Sequence, residues 1–324
     1  MRRRQFIALV GGAAAAWPLA TRAQEPGRIY RLGELHLSPR SEPWNIALFD
    51  ALKPDGFIEG QNLVVDDHGF GLHVEQLADH ATAVVKARVD LITCAGEPAI
   101  RAAQQATKSI PIFAVADDMV RSGFVASLAK PGGNTTGVSI LATELDGKRQ
   151  EILLEVVPGM RRMAALADAN GTLPQQLQAL QDAARARGVE LSIYRVAKAE
   201  EIAGAIDAAK TSGAAALNVL SSAMLNNNRQ IILPRVAALG LPAIYQFPVV
   251  AEEGGLIGYG SSLEQIYRDV GARQLVKLLR GVKPAEIPVE QPTRFELVVN
   301  LKTAKALGLT IPESFLLRAD KVIE

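Results

Sequence analysis

Val89-Asp-Leu-Ile-Thr-Cys-Ala-Gly-Glu-Pro-Ala-Ile-Arg-Ala-Ala-Gln-Gln-Ala-Thr-Lys-Ser-Ile-Pro-Ile-Phe-Ala-Val115 holds one complete β-α-β unit. Its ends, Leu91–Cys94 and Pro111–Val115, are short unbroken apolar runs, the pattern of strands covered on both faces. Between them Pro98–Thr107 reads as a helix. A strand, a helix and a strand in this order require a parallel pair with a crossover. Working outward, Ile29–Leu35 reads as a first strand with Trp44–Leu52 as its helix, and Asn62–Asp66 as a second strand. Leu72–Arg88 is predicted to be a helix with Val74, Leu77, Ala78, Ala81 and Val85 on one face.

The rhythm resumes with strands near Met163–Ala167, Glu190–Arg195, Ala215–Val219 and Ala243–Gln246. Helices are predicted near Thr143–Val156, Leu173–Arg187, Ala199–Thr211 and Leu225–Leu239. Repeated β-α order means parallel sheets with helices on both faces. Lys130-Pro-Gly-Gly-Asn-Thr-Thr-Gly137 punctuates the chain between the two series. Further on come a strand at Leu256–Gly260 and a helix at Ser261–Arg280, with Ser261 and Glu264 fitting a capping box and Gly281 a left-handed stop. A Pro-rich crossing at Pro284–Pro292, a strand at Phe295–Asn300 and a short helix near Leu301–Leu307 follow. The fold class is therefore α/β: two doubly wound Rossmann-like lobes joined by a multi-crossover hinge. The expected division is residues 27–137 plus about 262–290 in one lobe, and 138–261 plus about 291–324 in the other.

Residues 1–23 read as an export leader. Arg2, Arg3 and Arg4 precede an apolar stretch from Phe6 to Leu19, and Thr21-Arg22-Ala23 is a small-residue exit. Arg3-Arg4-Gln5-Phe6-Ile7 resembles a twin-arginine signal, with the general secretory route as the alternative. The stretch is too short for a stable span of about 20 apolar residues. The full chain carries a formal charge of +1; without the four leader arginines it carries −3. That balance argues against a nucleic-acid partner, which needs a basic stripe. Cys94 is the single cysteine, sits inside an apolar run and reads as a small buried hydrophobe.

Three segments carry a family likeness. Leu128-Ala-Lys-Pro-Gly-Gly-Asn-Thr-Thr-Gly-Val138, Gly255-Leu-Ile-Gly-Tyr-Gly260 and the long run from Gly281-Val-Lys-Pro-Ala-Glu-Ile-Pro-Val-Glu-Gln-Pro-Thr-Arg-Phe-Glu-Leu-Val-Val-Asn300 to Leu309 resemble the tryptophan-binding-protein-like family of ABC-transporter substrate-binding proteins, as does the ending Arg318-Ala-Asp-Lys-Val-Ile-Glu324. The resemblance implies a type I periplasmic-binding-protein fold. It implies a periplasmic receptor that acts as a monomer, closes on a small ligand and hands it to a permease and ATPase in the inner membrane. The chain departs from the family pattern at His36–Trp44, at Glu97 and at Asp117-Asp118-Met119, loops that bear on ligand identity.

Ligands of open parallel sheets bind beyond the carboxyl ends of the strands. This selects the loops His36–Trp44, Ala95–Pro98 and Ala116–Met119 in one lobe, and Asp168–Thr172, Leu220–Met224 and Gln246–Val249 in the other. The candidate ligand-binding residues are His36, Ser38, Trp44, Gly96, Glu97, Asp118, Ser221, Ser222, Tyr245 and Phe247. Ser38, Ser221 and Ser222 offer hydroxyls to a carboxylate, though Ser221-Ser222 equally suit a helix cap. His36 suits a carboxylate or phenol, or a solvated loop. Trp44, Tyr245 and Phe247 are candidates for an aromatic clamp or for core packing. Glu97 and Asp118 suit an ammonium group or plain surface exposure, and Arg40 suits an acidic ligand.

No His-Glu-x-x-His helix or Cys/His cluster occurs, so no metal is expected. No P-loop, complete dinucleotide fingerprint or Gly-x-Ser-x-Gly elbow occurs, so neither a cofactor nor catalysis is expected. The expected function is capture of a small organic acid or amino acid, aromatic in character, for ABC import. The alternatives are a periplasmic sensor feeding a signalling partner and an exported enzyme.

Overall fold

The computed structural model describes residues 27–324, so the predicted leader lies outside the described residues. Two sheets organise the chain. The first has five strands in the order β2-β1-β3-β4-β5, with β1 at Tyr30–Leu35, β2 at Leu63–Val65, β3 at Leu91–Ala95, β4 at Ile112–Ala116 and β5 at Thr135–Ser139. Every pair in it is parallel, with Leu35 beside Cys94 and Cys94 beside Ala114. Its helices include α1 (Pro43–Leu52), α2 (Leu77–Lys86) and α3 (Glu97–Ala106). The β-α-β unit is thus present as β3-α3-β4. Cys94 is fully buried, its thiol 3.7 Å from the Phe113 carbonyl, and burial pushes its pKa far up.

The second sheet has seven strands in the order β12-β11-β10-β9-β8-β6-β7. Here β6 is Arg162–Asp168, β7 Glu190–Val196, β8 Leu217–Val219, β9 Ala243–Tyr245, β10 Ile257–Gly260, β11 Glu296–Asn300 and β12 Lys321–Ile323. Only β10 and β11 pair antiparallel. The helices that matter below are α4 (Asp146–Val156), α5 (Pro174–Ala186), α6 (Ile202–Thr211), α7 (Ala223–Asn227), α8 (Arg229–Ala238) and α9 (Pro248–Glu252).

The chain passes between the sheets three times. It leaves the first after β5. It returns after β10 as α10, a run of Leu263–Gln265, the π-helical Ile266–Gly271 and Ala272–Leu279, which packs on α1. The following segment lies along β5, where Ser139 N donates to Glu290 O at 2.9 Å and Glu290 N to Gly137 O at 3.0 Å. It then crosses back to form β11. Three strands of backbone between two bodies restrict their relative motion to a hinge.

Local differences from the sequence reading have physical causes. The punctuating segment ends in a strand: Thr135–Ser139 is wholly buried as β5, and a Cβ on Gly137 would lie 1.8 Å from Ala114 O, so only glycine fits. The apolar stripe of α2 is Leu77, Ala81 and Val84; Val74 lies before the helix and is exposed. The predicted helix Leu225–Leu239 is two helices parted at Asn228, whose side chain donates back to Met224 O at 2.8 Å. The cap of α10 is one residue later than expected, with Ser262 Oγ accepting from Gln265 N. Gly281 takes the left-handed conformation (φ 83°) predicted for it.

Candidate functional site

The carboxyl ends of both sheets face one another, and there the lobes touch. Glu42 immediately precedes α1. Arg229 opens α8. Arg229 Nη2 donates to Glu42 Oε1 at 3.0 Å and Oε2 at 2.9 Å, joining first lobe to second. Within the second lobe, Arg229 Nε donates to Glu253 Oε2 at 2.6 Å and Nη2 to Glu253 Oε1 at 2.8 Å. Burial opposes the charged guanidinium, but the hydrogen bonds to Glu253 and Glu42 outweigh it and hold the Arg229 pKa above its ordinary value. The same guanidinium lies 5.7 Å from the ring centre of Trp44. Trp44 is 4% exposed, within cation–π range of Arg229.

A second interlobe approach is at Gly96. It has φ 85° at the start of α3, and a Cβ there would sit 3.4 Å from Ala223 Cβ in α7. Trp44 and Gly96 thus lie on the first-lobe side where the two lobes meet. Opposite them, Ser222 caps α7 by accepting from Met224 N at 3.1 Å and Leu225 N at 3.3 Å, while its hydroxyl donates to Asp168 Oδ2 at 2.7 Å. Gln246 fixes the same turn from both sides, accepting from Ser222 N at 3.0 Å and donating to Ser222 O at 2.9 Å. Phe247 is buried next to Gln246 and starts α9.

The other predicted residues sit elsewhere in the construction. His36 is 1% exposed inside the first lobe, its Nε2 2.9 Å from both Glu34 Oε2 and Thr93 Oγ1, its ring stacked on Phe70. Ser38 is buried, and its carbonyl accepts from Gly71 N at 2.9 Å. Glu97 is half exposed and accepts from Ser122 Oγ at 2.7 Å and Arg101 at 3.3 Å. Asp118 accepts from Val120 N at 3.1 Å and Arg121 N at 2.9 Å, closing its own turn. Arg40 pairs with Glu59 at 2.5 Å and with Asp67 on the flank of α1.

Ser221 follows β8 in the second lobe and is bonded to the stretch that enters that lobe. Its hydroxyl lies 2.9 Å from Ala142 O and 3.1 Å from Asp146 Oδ1, and it accepts from Arg149. Arg149 is fully buried and ties the first crossing, at Ala142 O (2.5 Å), to the end of β10, at Tyr259 O (2.8 Å). Tyr245 is 3% exposed within the second lobe, and burial raises its pKa. It shares a cavity of about 10 Å³ with Asn226, Arg229 and Gln246, among others. Among the described residues the buried Oδ1 of Asn226 has no hydrogen-bond partner.

Glu42, Arg229 and Arg149 were not foreseen. Glu42 lies in the predicted loop His36–Trp44, so strand-end position was its available signal; Arg229 lies inside the predicted helix Leu225–Leu239 and had none.

Two lobes meet at facing strand ends, with three chain crossings between them. Residues 46–323 match the family described as ABC transporter substrate binding protein. The chain belongs to that family. It is a substrate-binding protein of an ABC transporter, with the α/β type I periplasmic-binding-protein fold. This substrate-binding protein is 26% identical over 263 residues to a tyrosine-binding protein of Clostridioides difficile (strain R20291), covering 80% of this chain and 74% of that one. A Streptococcus pneumonia ABC domain in complex with L-Trp has 24% identity and a TM-score of 0.79, covering 91% of this chain and 100% of that one. The ligand-free, open structure of a Clostridium difficile substrate binding protein with adhesive properties has 22% identity and a TM-score of 0.62, covering 91% and 99%. Among the described residues no helix is long and apolar enough to cross a membrane.

Proposed function

We propose that this substrate-binding protein is the periplasmic receptor of an ABC importer, and that it captures an amino acid or small organic acid bearing an aromatic ring. The observation that carries this reading is the closure of both lobes over buried Trp44, beneath the Glu42–Arg229 bridge. A ligand shifts a hinge only by contacts it makes better in one state than in the other. Here the closed state alone brings Trp44 together with Arg229, so a ring placed between the lobes gains contacts on closure. The names of the tyrosine-binding relative and of the L-Trp complex support an aromatic solute. The basic, then apolar, then small-residue leader supports export. A permease and an ATPase are the partners, nucleic acid is not one, and the receptor works as a monomer.

The test is a thermal-shift screen, followed by calorimetry, of the processed protein with L-tryptophan, L-tyrosine, L-phenylalanine, matched aromatic acids and branched-chain amino acids. At least one aromatic compound raises the melting temperature, with branched-chain compounds silent. Stabilisation by no aromatic compound overturns the reading.

A further inference from the structure

We propose that Leu141, in the first of the chain crossings, is a strained joint that works as an opening spring: contact between the lobes holds its backbone in the left-handed conformation, and their separation lets it relax. The spring acts whatever solute is captured.

Among the described residues two that are not glycine have a positive φ, Arg88 at 53° and Leu141 at 48°. Leu141 also has ψ 35°, which places it in the left-handed helical region. There an L-residue presses its Cβ against the following carbonyl oxygen, and a bulky side chain stays there only when its surroundings impose it. Arg88 lies in an exposed turn behind α2, inside one lobe. Leu141 lies between β5 and α4, where the chain leaves the first lobe for the second. Residues 261–262 and 291–295, in the other two crossings, all have negative φ or extended backbone.

Anchorage on both sides imposes the conformation. On the first-lobe side Ile140 N donates to Ala116 O at 2.9 Å and Leu141 N to Asp117 O at 2.8 Å. On the second-lobe side Ala142 O, the next carbonyl, accepts from buried Arg149 and from Ser221 Oγ at 2.9 Å. The Leu141 dihedrals link these anchors. Asp117, just past β4, also reaches across: its Oδ1 accepts from Thr143 N at 3.0 Å and its Oδ2 from Thr143 Oγ1. The short helix Ala142–Leu145 that leads into the second lobe is thereby drawn onto the first. Hinges absorb their rotation in a few loop or element-terminal dihedrals. As the lobes part, Asp117 and Thr143 separate, water hydrates both, and Leu141 returns to negative φ. Closing the cleft therefore winds the joint, and this built-in cost sets how much of the receptor stays open before a solute arrives.

Small-angle scattering of the ligand-free processed protein, with melting curves beside it, tests the spring. The variants are Leu141→Gly, Leu141→Asn and Arg88→Gly, each made in the parent and in Arg229→Met. Glycine and asparagine accept positive φ more readily than leucine, so either Leu141 variant shifts the open-to-closed ratio about tenfold toward closed. The radius of gyration then falls below that of the background protein in at least one background. Arg88→Gly relieves the same conformation away from the crossings and leaves the radius unchanged. An unchanged or larger radius for every folded Leu141 variant in both backgrounds overturns the inference, as does an equal fall with Arg88→Gly. Where one Leu141 variant does not fold, the other decides. Failure of both to fold also overturns it, since relief of strain cannot cost the fold.

Discussion

Arg149 and Arg229 are both buried cations of the second lobe, yet their partners differ in kind. Arg149 is held by Asp146 at 2.6 Å, by Ser221 at the end of β8, and by the carbonyls of Ala142 and Tyr259 where the chain enters and leaves that lobe. Opening the cleft leaves these bonds in place, because none of them reaches the first sheet or its helices. Arg229 has Glu253 and the Asn226 carbonyl in its own lobe and Glu42 across the cleft. Opening the cleft dissolves the bond to Glu42 and lets water replace it. The first arginine builds the pivot; the second reads whether the cleft is shut.

The sharpest way to break this contrast is Arg149→Met. Asp146 is then left buried with its cation gone, a change that costs about 3–5 kcal/mol in comparable sites. Urea unfolding measures it, and a loss of about 2 kcal/mol or less would reduce Arg149 to the rank of Arg229 or below. Arg229→Met is expected to cost less, about 2 kcal/mol, because Glu42 and Glu253 regain water once the lobes separate. Small-angle scattering of the ligand-free variant should show a larger radius of gyration than the parent; an unchanged profile refutes the opening. Trp44→Leu keeps apolar bulk but removes the aromatic face, and is expected to weaken the best aromatic ligand about tenfold, or about 1.4 kcal/mol. Calorimetry beside a melting curve separates lost binding from lost stability. The smallest effect is Ser222→Ala, which removes the cap of α7 and the bond to Asp168, for about 1 kcal/mol of unfolding free energy. Equal stability of variant and parent would show that Gln246 alone holds that turn.

The strand-helix alternation was legible because it is local. Leu91–Cys94 and Pro111–Val115 announce themselves by composition, and the helix between them by its length. β5 was not legible. Thr135-Thr136-Gly137 looks like a turn, and its burial depends on partners far along the chain, such as Ile287 O, which accepts from Thr136 Oγ1 at 2.7 Å. Trp44 and Gly96, expected from strand-end position, lie where the lobes meet. Glu42 and Arg229 escaped notice because their bond spans 187 residues, and neither residue is unusual in its own neighbourhood. Ser221 illustrates the opposite error. A serine at a strand end suits a ligand or a cap, and nothing nearby reveals that a fully buried Arg149 has claimed it. His36 shows the same effect, since its partners Glu34 and Thr93 come from two neighbouring strands that only the folded sheet aligns.

The seclusion of Cys94 beneath the first sheet has a practical use. With the sole native thiol sealed away and reluctant to ionise, a cysteine introduced at the rim of the cleft could be tagged selectively with an environment-sensitive dye. The receptor would then report its own opening and shutting as light, in solution, without a second labelling site to confuse the signal.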